Sequence, residues 1–169
     1  MSWNVRVKIT AMKGRYGEET RQVVFDEYVD ELKDICERGG GFSDNYVGDI
    51  DVDEDVRKIY EVEHKNEYGE KWVDTDWRYY TPAEIQIALN KARDDMIRFL
   101  HKKEKIENFV NSKEYWALSP EEKENVDETA GYAKEEYEEA AMAYENWAVV
   151  MGYVFPWSYQ KPIIGILAQ

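Results

Sequence analysis

The chain has 169 residues, of which 43% are hydrophobic and 14% are aromatic. This apolar content is sufficient for one folded domain and excludes a disordered polyanion. The formal net charge of −14 argues against direct binding to nucleic acid or to an anionic membrane, because both require clustered Lys and Arg.

The first half of the chain contains the strand signals. Residues 4–10 alternate between apolar and polar side chains and predict a half-buried strand, and residues 22–25 predict a short second strand that pairs with it as a hairpin. Residues 25–36 then predict a helix that ends on glycines. The apolar face of this helix consists of Phe25, Tyr28, Val29, Leu32 and Cys36. Residues 56–64 and 71–80 flank a short polar loop and predict a second hairpin.

The second half of the chain contains two strong helix starts. Each has a capping residue, a proline at the first helical position and a glutamate that completes a capping box: TPAE at residues 81–84 and SPEE at residues 119–122. Apolar residues at helical spacing follow over residues 85–100 and 126–151, which predicts an antiparallel helical hairpin packed on the small sheet. The apolar tail, residues 153–169, is expected to pack across the body, with an exposed adhesive tail as the alternative.

These elements together predict a single α+β domain over residues 1–169. Residues 1–80 are mainly β with one short helix, residues 81–152 form the long C-terminal helical hairpin, and residues 153–169 form the tail. The expected sheet is small and antiparallel, with about four strands in two hairpins.

The cysteine content and the N-terminal sequence bear on location. Cys36 is the one cysteine, which excludes an intrachain disulfide and a multi-cysteine zinc site. The N-terminus, MSWNVRVKIT, lacks the apolar region of a signal peptide, and no stretch reaches the roughly 18 apolar residues of a membrane span. The expected location is the cytoplasm, which is the host cytoplasm if the protein is viral.

The stretch GDIDVDEDV, residues 48–56, has the spacing of a calcium-binding loop in its first half. Asp49, Asp51 and Asp53 stand at the first three ligand positions of an EF-hand. Glu54 replaces the glycine that this loop needs at its sharp turn, and Tyr60 replaces the bidentate glutamate at its end. The sequence therefore predicts no specific metal site here. The remaining interpretations are a charged surface for a partner, a solvated acidic loop, and weak binding of any divalent cation.

Catalytic motifs are absent from the sequence. It contains no dinucleotide-binding, P-loop or HExxH pattern. His64 and His101 are the only histidines, and neither has a Ser or Cys partner in a recognisable nucleophile motif. Cys36 lies on the apolar face of its predicted helix, which is typical of a buried structural thiol. No enzymatic activity and no cofactor are predicted, and a metal-dependent hydrolase is the third-ranked alternative.

A pair of carboxylates for glycoside chemistry would have to come from the predicted second hairpin. The acidic residues there are Glu61, Glu63, Asp74 and Asp76. Trp72 and Tyr80 share a face with Asp74 and Asp76, which resembles a sugar platform superficially. Aromatic residues that alternate with acids are more typical of an ordinary strand with one buried face.

The negative charge is segregated along the chain. Residues 44–76 hold twelve acidic and four basic residues, and residues 112–146 hold eleven acidic and three basic residues, so each block carries −8. In the second block most glutamates fall away from the apolar stripe, with neighbours about 5–6 Å apart along the helix. That repeat is of the same order as the phosphate spacing of a nucleic acid. The counter-interpretation is an ordinary solvated acidic face.

The charge pattern predicts a non-enzymatic binding protein that occupies the cationic nucleic-acid-binding site of a basic partner. The predicted partner-binding residues are Asp49, Asp51, Asp53, Glu54 and Asp55 in the first block, and Glu135, Glu136, Glu138 and Glu139 in the second. Exposed aromatic residues are expected to anchor the contact. The candidates are Tyr46, Tyr68, Trp116 and Tyr132.

In size, acidity, and Trp and Tyr content the chain resembles phage-encoded inhibitors of host defence nucleases; no sequence motif carries this resemblance. The resemblance implies a nucleic-acid-binding protein or nuclease complex as the partner. The second-ranked function is a structural or assembly protein that docks through its apolar tail. The basic run over residues 91–105 is expected to pair with the acidic helix beside it, with RNA binding as its alternative.

Overall fold

The computed structural model describes residues 4–37, 50–61, 63–73 and 76–168. In chain order its elements are β1 (Val5–Lys13), β2 (Thr20–Tyr28), α1 (Asp30–Glu37), α2 (Glu54–Tyr60), β3 (Glu63–Lys65), β4 (Lys71–Val73), β5 (Arg78–Tyr80), α3 (Pro82–Val110), α4 (Lys113–Trp116), α5 (Pro120–Val154) and β6 (Ile163–Ala168). A short 3-10 helix, Phe155–Trp157, follows α5.

The main sheet has four antiparallel strands in the order β2-β1-β6-β5. Strand β1 lies inside the sheet, and the alternation that predicted it from the sequence places Val5, Val7 and Ile9 in the core. The predicted α+β class, with a four-stranded antiparallel sheet and a long C-terminal helix, is confirmed.

The sheet is assembled differently from the predicted pair of hairpins. Its third strand is β6, which comes from the apolar tail and pairs with β1 on one side and β5 on the other. Ile164, Ile166 and Leu167 are buried there, so this part of the tail is an inner strand and not an exposed adhesive segment. The exposed large side chains that the structure describes in the tail are Phe155 and Tyr159. An assembly role through the tail would therefore rely on exposed side chains such as these and not on the buried strand β6.

Residues 54–60 form helix α2, where the sequence pattern predicted the start of a strand. Val52, Val56 and Ile59 recur at intervals of four and three, so they can share one helical face as well as they fit a strand. All three pack against a buried aromatic cluster, and this tertiary contact decides in favour of the helix.

The remaining differences concern element boundaries. Strand β2 extends to Tyr28, so Phe25 and Tyr28 belong to the sheet and not to the predicted helix, which begins at Asp30. The predicted second hairpin survives only as the three-residue strands β3 and β4, which form a separate two-stranded sheet. Asp74 lies outside the described residues.

Both predicted helix starts are confirmed. Thr81 caps α3 with its hydroxyl, which accepts a hydrogen bond from the Glu84 amide, and the Glu84 side chain accepts from the Thr81 amide. Ser119 and Glu122 make the same reciprocal pair of bonds at the start of α5. Two of the otherwise unpaired amides at each helix start are thereby satisfied.

The sheet separates two buried clusters. The larger one, called here the helical core, lies between the sheet and helices α1, α3 and α5 and includes Val7, Leu32, Ile85, Trp147 and Ile164. The smaller one, called here the aromatic core, consists of Tyr60, Trp77, Tyr79 and Leu167 and is covered by α2. Because side chains alternate along a strand, Ile164 and Leu167 of β6 point to opposite clusters.

Candidate functional site

The acidic loop, defined here as residues 51–55, is fully exposed at its acidic positions. Asp51, Asp53, Glu54 and Asp55 all face solvent. The fifth predicted residue of this surface, Asp49, lies outside the described residues. The apolar residues between them face inward, since Ile50, Val52 and Val56 pack against the aromatic core. The aliphatic residues therefore anchor the loop on the aromatic core, and the acids that alternate with them point outward.

Part of this acidity has a local structural explanation. Asp53 precedes the first turn of α2, and Glu54 and Asp55 lie within it. Negative side chains at this position interact favourably with the partial positive charge of a helix N-terminus. The Asp53 side chain makes no capping hydrogen bond, although its carbonyl accepts from the Arg57 amide at 2.9 Å. The acids of the loop thus stabilise α2 by their charge.

One acid of the acidic loop is paired within its own helix. Glu54 pairs with Lys58 at 3.6 Å on the surface of α2. Within the described ranges, no group of three or more His, Cys, Asp or Glu side chains is arranged to hold a metal ion.

The second acidic surface runs along α5. We define the acidic stripe as Glu121, Glu124, Glu128, Glu135, Glu138 and Glu139, all of which are exposed. Their separations of three, four and seven residues place them on one side of the helix. At 1.5 Å per residue the stripe is about 27 Å long. Of the α5 lysines, Lys134 is the one that borders the stripe.

The glutamates of the stripe form no ion pair with any residue that the structure describes. Tyr132 stands within the stripe and is 57% exposed, and its hydroxyl donates a hydrogen bond to Glu128 at 3.2 Å. Glu136, the fourth predicted residue of this surface, behaves differently: it turns toward α3 and pairs with Lys102 at 3.4 Å. Glu135, Glu138 and Glu139 therefore belong to the stripe, whereas Glu136 belongs to the boundary between the helices.

The two acidic surfaces belong to elements that pack on different cores. The acidic loop lies on the aromatic core through Ile50 and Val52, and α5 lies on the helical core through Trp147 and Val150. These cores occupy opposite faces of the main sheet. The stripe itself lies on α5 before the residues that enter the helical core.

Three of the four predicted aromatic anchors are exposed. Tyr68 is 81% exposed, Trp116 is 69% exposed, and Tyr132 lies in the stripe as described above. Tyr46 lies outside the described residues. The rings of Trp116 and Tyr115 meet edge to face with their centroids 5.4 Å apart, and the Lys123 ammonium lies 5.0 Å from the Trp116 ring. These contacts hold Trp116 in place beyond the N-terminal end of the stripe.

The catalytic candidates do not assemble. His64 stacks on Trp72 at 5.2 Å in the small β3–β4 sheet, while His101 is exposed on α3. Tyr80 is buried in the helical core, so it cannot form a sugar platform with Trp72. Burial raises the pKa of the half-buried Cys36 thiol, which disfavours the reactive thiolate.

A charged cluster lies on the face of the main sheet that carries the aromatic core. The alternation of β1 predicted that this polar face is open to solvent. The Arg6 guanidinium donates two hydrogen bonds to Asp26, at 2.8 and 2.9 Å. Lys8 lies 3.6 Å from Asp26 and is only 4% exposed. Arg6 and Lys8 also lie 5.5 Å from the Trp77 ring and 5.8 Å from the Tyr60 ring. The sequence contains no local signal for this cluster, because the aromatic cover comes from distant segments.

Comparisons with protein-family models, with curated proteins and with solved structures found no match. A search of the described helices found none with the length and apolar character that crossing a membrane requires.

Proposed function

We propose that the protein is a non-enzymatic binding protein whose acidic stripe occupies the cationic nucleic-acid-binding site of a basic partner. The partner class is a nucleic-acid-binding protein or a nuclease complex, of the kind that phage anti-defence inhibitors block. The carrying observation is the row of six exposed glutamates on one side of α5, with no ion pair among the described residues. The protein itself is expected to bind neither nucleic acid nor membranes directly.

The stripe is suited to this role because it is a rigid array of charge. Neighbouring glutamates on a helix stand about 5–6 Å apart and repel one another, which costs a few tenths of a kcal/mol per pair. This repeated free-energy cost has an explanation if the negative field of the glutamates serves to bind a partner. In this proposal α3 and α5 act as an antiparallel helical hairpin, and α3 supports the stripe from behind.

The charge of the stripe would make association with the partner fast and dependent on salt. The aromatic residues would supply most of the affinity. Complementary charge mainly accelerates association, whereas buried aromatic side chains contribute most of the binding energy of an interface. Tyr132 within the stripe and Trp116 beyond its end are exposed and available for such contacts. The acidic loop is proposed as a secondary surface, since it lies on the other face of the sheet.

The experiment that tests the proposal is affinity capture from a lysate, followed by competition. The captured partner is assayed for DNA or RNA binding with and without the protein. A variant with Glu124, Glu128, Glu135 and Glu138 each changed to Lys is expected to weaken partner binding by at least about tenfold, or 1.4 kcal/mol. A separate variant with Asp51, Asp53 and Asp55 changed to Lys measures the contribution of the acidic loop.

The matched control carries the same change in net charge at other exposed acids. It has Glu18, Glu27, Glu67 and Glu104 changed to Lys, all of which lie outside both acidic surfaces. Retained binding by this control, together with loss in the stripe variant, supports the proposal. Equal loss in both variants would reduce the effect to net charge. A partner that binds its nucleic acid and this protein at the same time would contradict mimicry.

A further inference from the structure

Among the residues that the structure describes, no third layer of structure covers the outer parts of α3 and α5. We define the arm as residues 93–110 of α3, α4, and residues 120–139 of α5. Helix α3 buries Ile85, Ala88 and Ala92 and no residue after them. Within the α5 part of the arm, the one buried residue is Ala133. The arm is thus a pair of helices whose apolar side chains remain partly open to solvent.

An apolar groove runs along one side of the arm. Its volume is about 490 Å³, and its lining residues are Lys102, Lys105, Ile106, Phe109, Asn125, Val126 and Thr129. The Phe109 side chain is 38% exposed at the groove and touches the ring of Tyr115 at the tip of the arm. Helices bury their apolar stripes against other elements, and no element that the structure describes fills this groove.

The two helices present opposite charges beside this groove. On α3 the positions at intervals of three, four and seven along the groove are Lys91, Arg98, Lys102, Lys105 and Phe109. On α5 the corresponding positions are Glu122, Asn125, Thr129, Tyr132, Glu136 and Glu139. The α3 side of the groove is therefore basic, and the α5 row that continues the uncharged lining Asn125 and Thr129 carries acids at both ends.

Few of these charges pair between α3 and α5, and Glu122 belongs to the capping box of α5. The pair between Lys102 and Glu136 is the one interhelical ion pair in the arm as the structure describes it. Arg98 pairs with Asp95 of its own helix at 3.2 Å. Lys91 and Lys105 form no ion pair with any described residue. The expectation that the basic run pairs with the neighbouring acidic helix is thus met at Lys102 alone.

We infer that the occupant of the groove is the arm of a second copy of this chain, which completes a four-helix bundle. A two-fold axis parallel to the arm places α3 of one protomer over α5 of the other, so each basic row meets an acidic row. A uniformly basic or uniformly acidic partner would match only one side. Two helices that bury one shared face in this way are a standard route to a four-helix bundle.

The area of the arm surface that would be buried bears on the expected affinity of the dimer. The paired helices present a surface about 27 Å long and 20 Å wide. This is near the lower end for a specific interface, so a weak, reversible dimer is expected. At 0.15 M salt the Debye length is about 8 Å, which screens the repulsion between two chains of charge −14 but leaves contact pairs effective. Because Glu139 is the only stripe residue in the groove rows, the dimer leaves most of both stripes exposed.

The first test is sedimentation equilibrium of the full chain from 5 to 200 μM in 0.15 M salt. We expect a monomer–dimer equilibrium, and a monomer throughout this range overturns the inference. Phe109→Asp places a charge in the groove and is expected to raise the dissociation constant at least tenfold. Ile97→Asp is the matched control, because Ile97 is 42% exposed and lies on the other side of α3. Equal effects of the two substitutions would also overturn the inference.

A charge exchange tests the arrangement itself. Lys102 lies level with Glu136, so the proposed axis brings Arg98 of one protomer near Glu139 of the other. The variant Arg98→Glu with Lys105→Glu, and the variant Glu136→Lys with Glu139→Lys, should each dimerise at least tenfold more weakly. An equimolar mixture should recover a heterodimer, because each altered row then meets its complement. A mixture that remains monomeric, with both variants folded by circular dichroism, contradicts the paired rows. These readouts need no partner protein, so they are independent of the proposed function.

Discussion

At the scale of single residues, Asp26 pairs with both cations of the charged cluster, Arg6 and Lys8, on the face of the sheet that carries the aromatic core. Burial alone would raise the pKa of its carboxyl, but the hydrogen bonds and charge of Arg6, together with Lys8, outweigh burial and lower the pKa. Burial lowers the pKa of Lys8, and Asp26 opposes that effect. The cluster is thus stable because one carboxylate is shared between two cations under an aromatic cover.

Asp26→Asn is expected to destabilise the fold by roughly 3 kcal/mol at pH 7, because it leaves the buried Lys8 without its carboxylate. The lowered pKa of Asp26 means that its contribution is complete above the ordinary value of 3.8 and is lost as the pH falls through the folded-state value. Urea unfolding at pH 7 and at acidic pH should show the difference between variant and wild type shrinking in acid. Glu27→Gln, on the exposed neighbour, is the control and should change little. A constant difference at both pH values would contradict this role for Asp26.

Gly165 is a second residue whose role only the fold reveals. A Cβ at this position would lie 2.6 Å from the Tyr60 ring, so a larger residue cannot be added without displacing that side chain. The Tyr60 hydroxyl donates to the Ile163 carbonyl at 2.6 Å and hydrogen-bonds to Thr10 at 2.9 Å. Glycine in the inner strand therefore allows α2 to lie close against the sheet.

At the scale of elements, local sequence signals were reliable where the element is stabilised locally. The two capping boxes are built from residues within four positions of each other, so TPAE and SPEE predict α3 and α5 correctly. Helix α2 has no such signal, because its only capping contribution is the charge of its first turn. Its aliphatic residues suit a strand equally well, and the aromatic core decides between the two.

Ser119→Ala is expected to destabilise the N-terminal end of α5 by about 1 kcal/mol, since it removes the acceptor for the Glu122 amide. Hydrogen exchange should show the loss over the first turns of α5, in the arm, and little change in the sheet. Ser119→Asp retains an N-capping acceptor and should restore most of the protection. Faster exchange across the whole sheet would indicate that the arm is not an independent local unit.

At the scale of the whole molecule, the charge distribution matters more than any one acid. The acidic loop packs on one face of the sheet, whereas α5 packs on the other face through its C-terminal part and carries the stripe on the arm. A net charge of −14 destabilises a compact state by self-repulsion, which dissolved salt screens. The stripe is thus a stability cost in dilute buffer as well as a candidate binding surface.

Raising the salt concentration from 10 to 150 mM should raise the melting temperature of the wild type, because the Debye length falls from about 30 to 8 Å. The four-residue stripe variant should respond less, since each reversal adds two units and brings the net charge from −14 to −6. Calorimetry measures the shift, which corresponds to about 3 °C per kcal/mol for a chain of this size. If both proteins respond equally, the repulsion does not arise from the stripe.

The sequence alone determined the features that depend on nearby residues: the alternation of β1, the capped starts of α3 and α5, and the exposure of the glutamates on α5. It also identified Tyr68, Trp116 and Tyr132 as exposed aromatic residues. These features depend on local periodicity and hydrogen bonding, which a single sequence displays directly.

Only the tertiary structure decided which distant segments meet. It placed β6 inside the sheet, turned residues 54–60 into α2, and packed the acidic loop and α5 on different cores. Among the described residues it also left the arm without a covering layer, and that feature supports the inferred dimer. Each of these outcomes depends on contacts between residues far apart in the chain, and such contacts override weak local preferences because they bury more apolar surface.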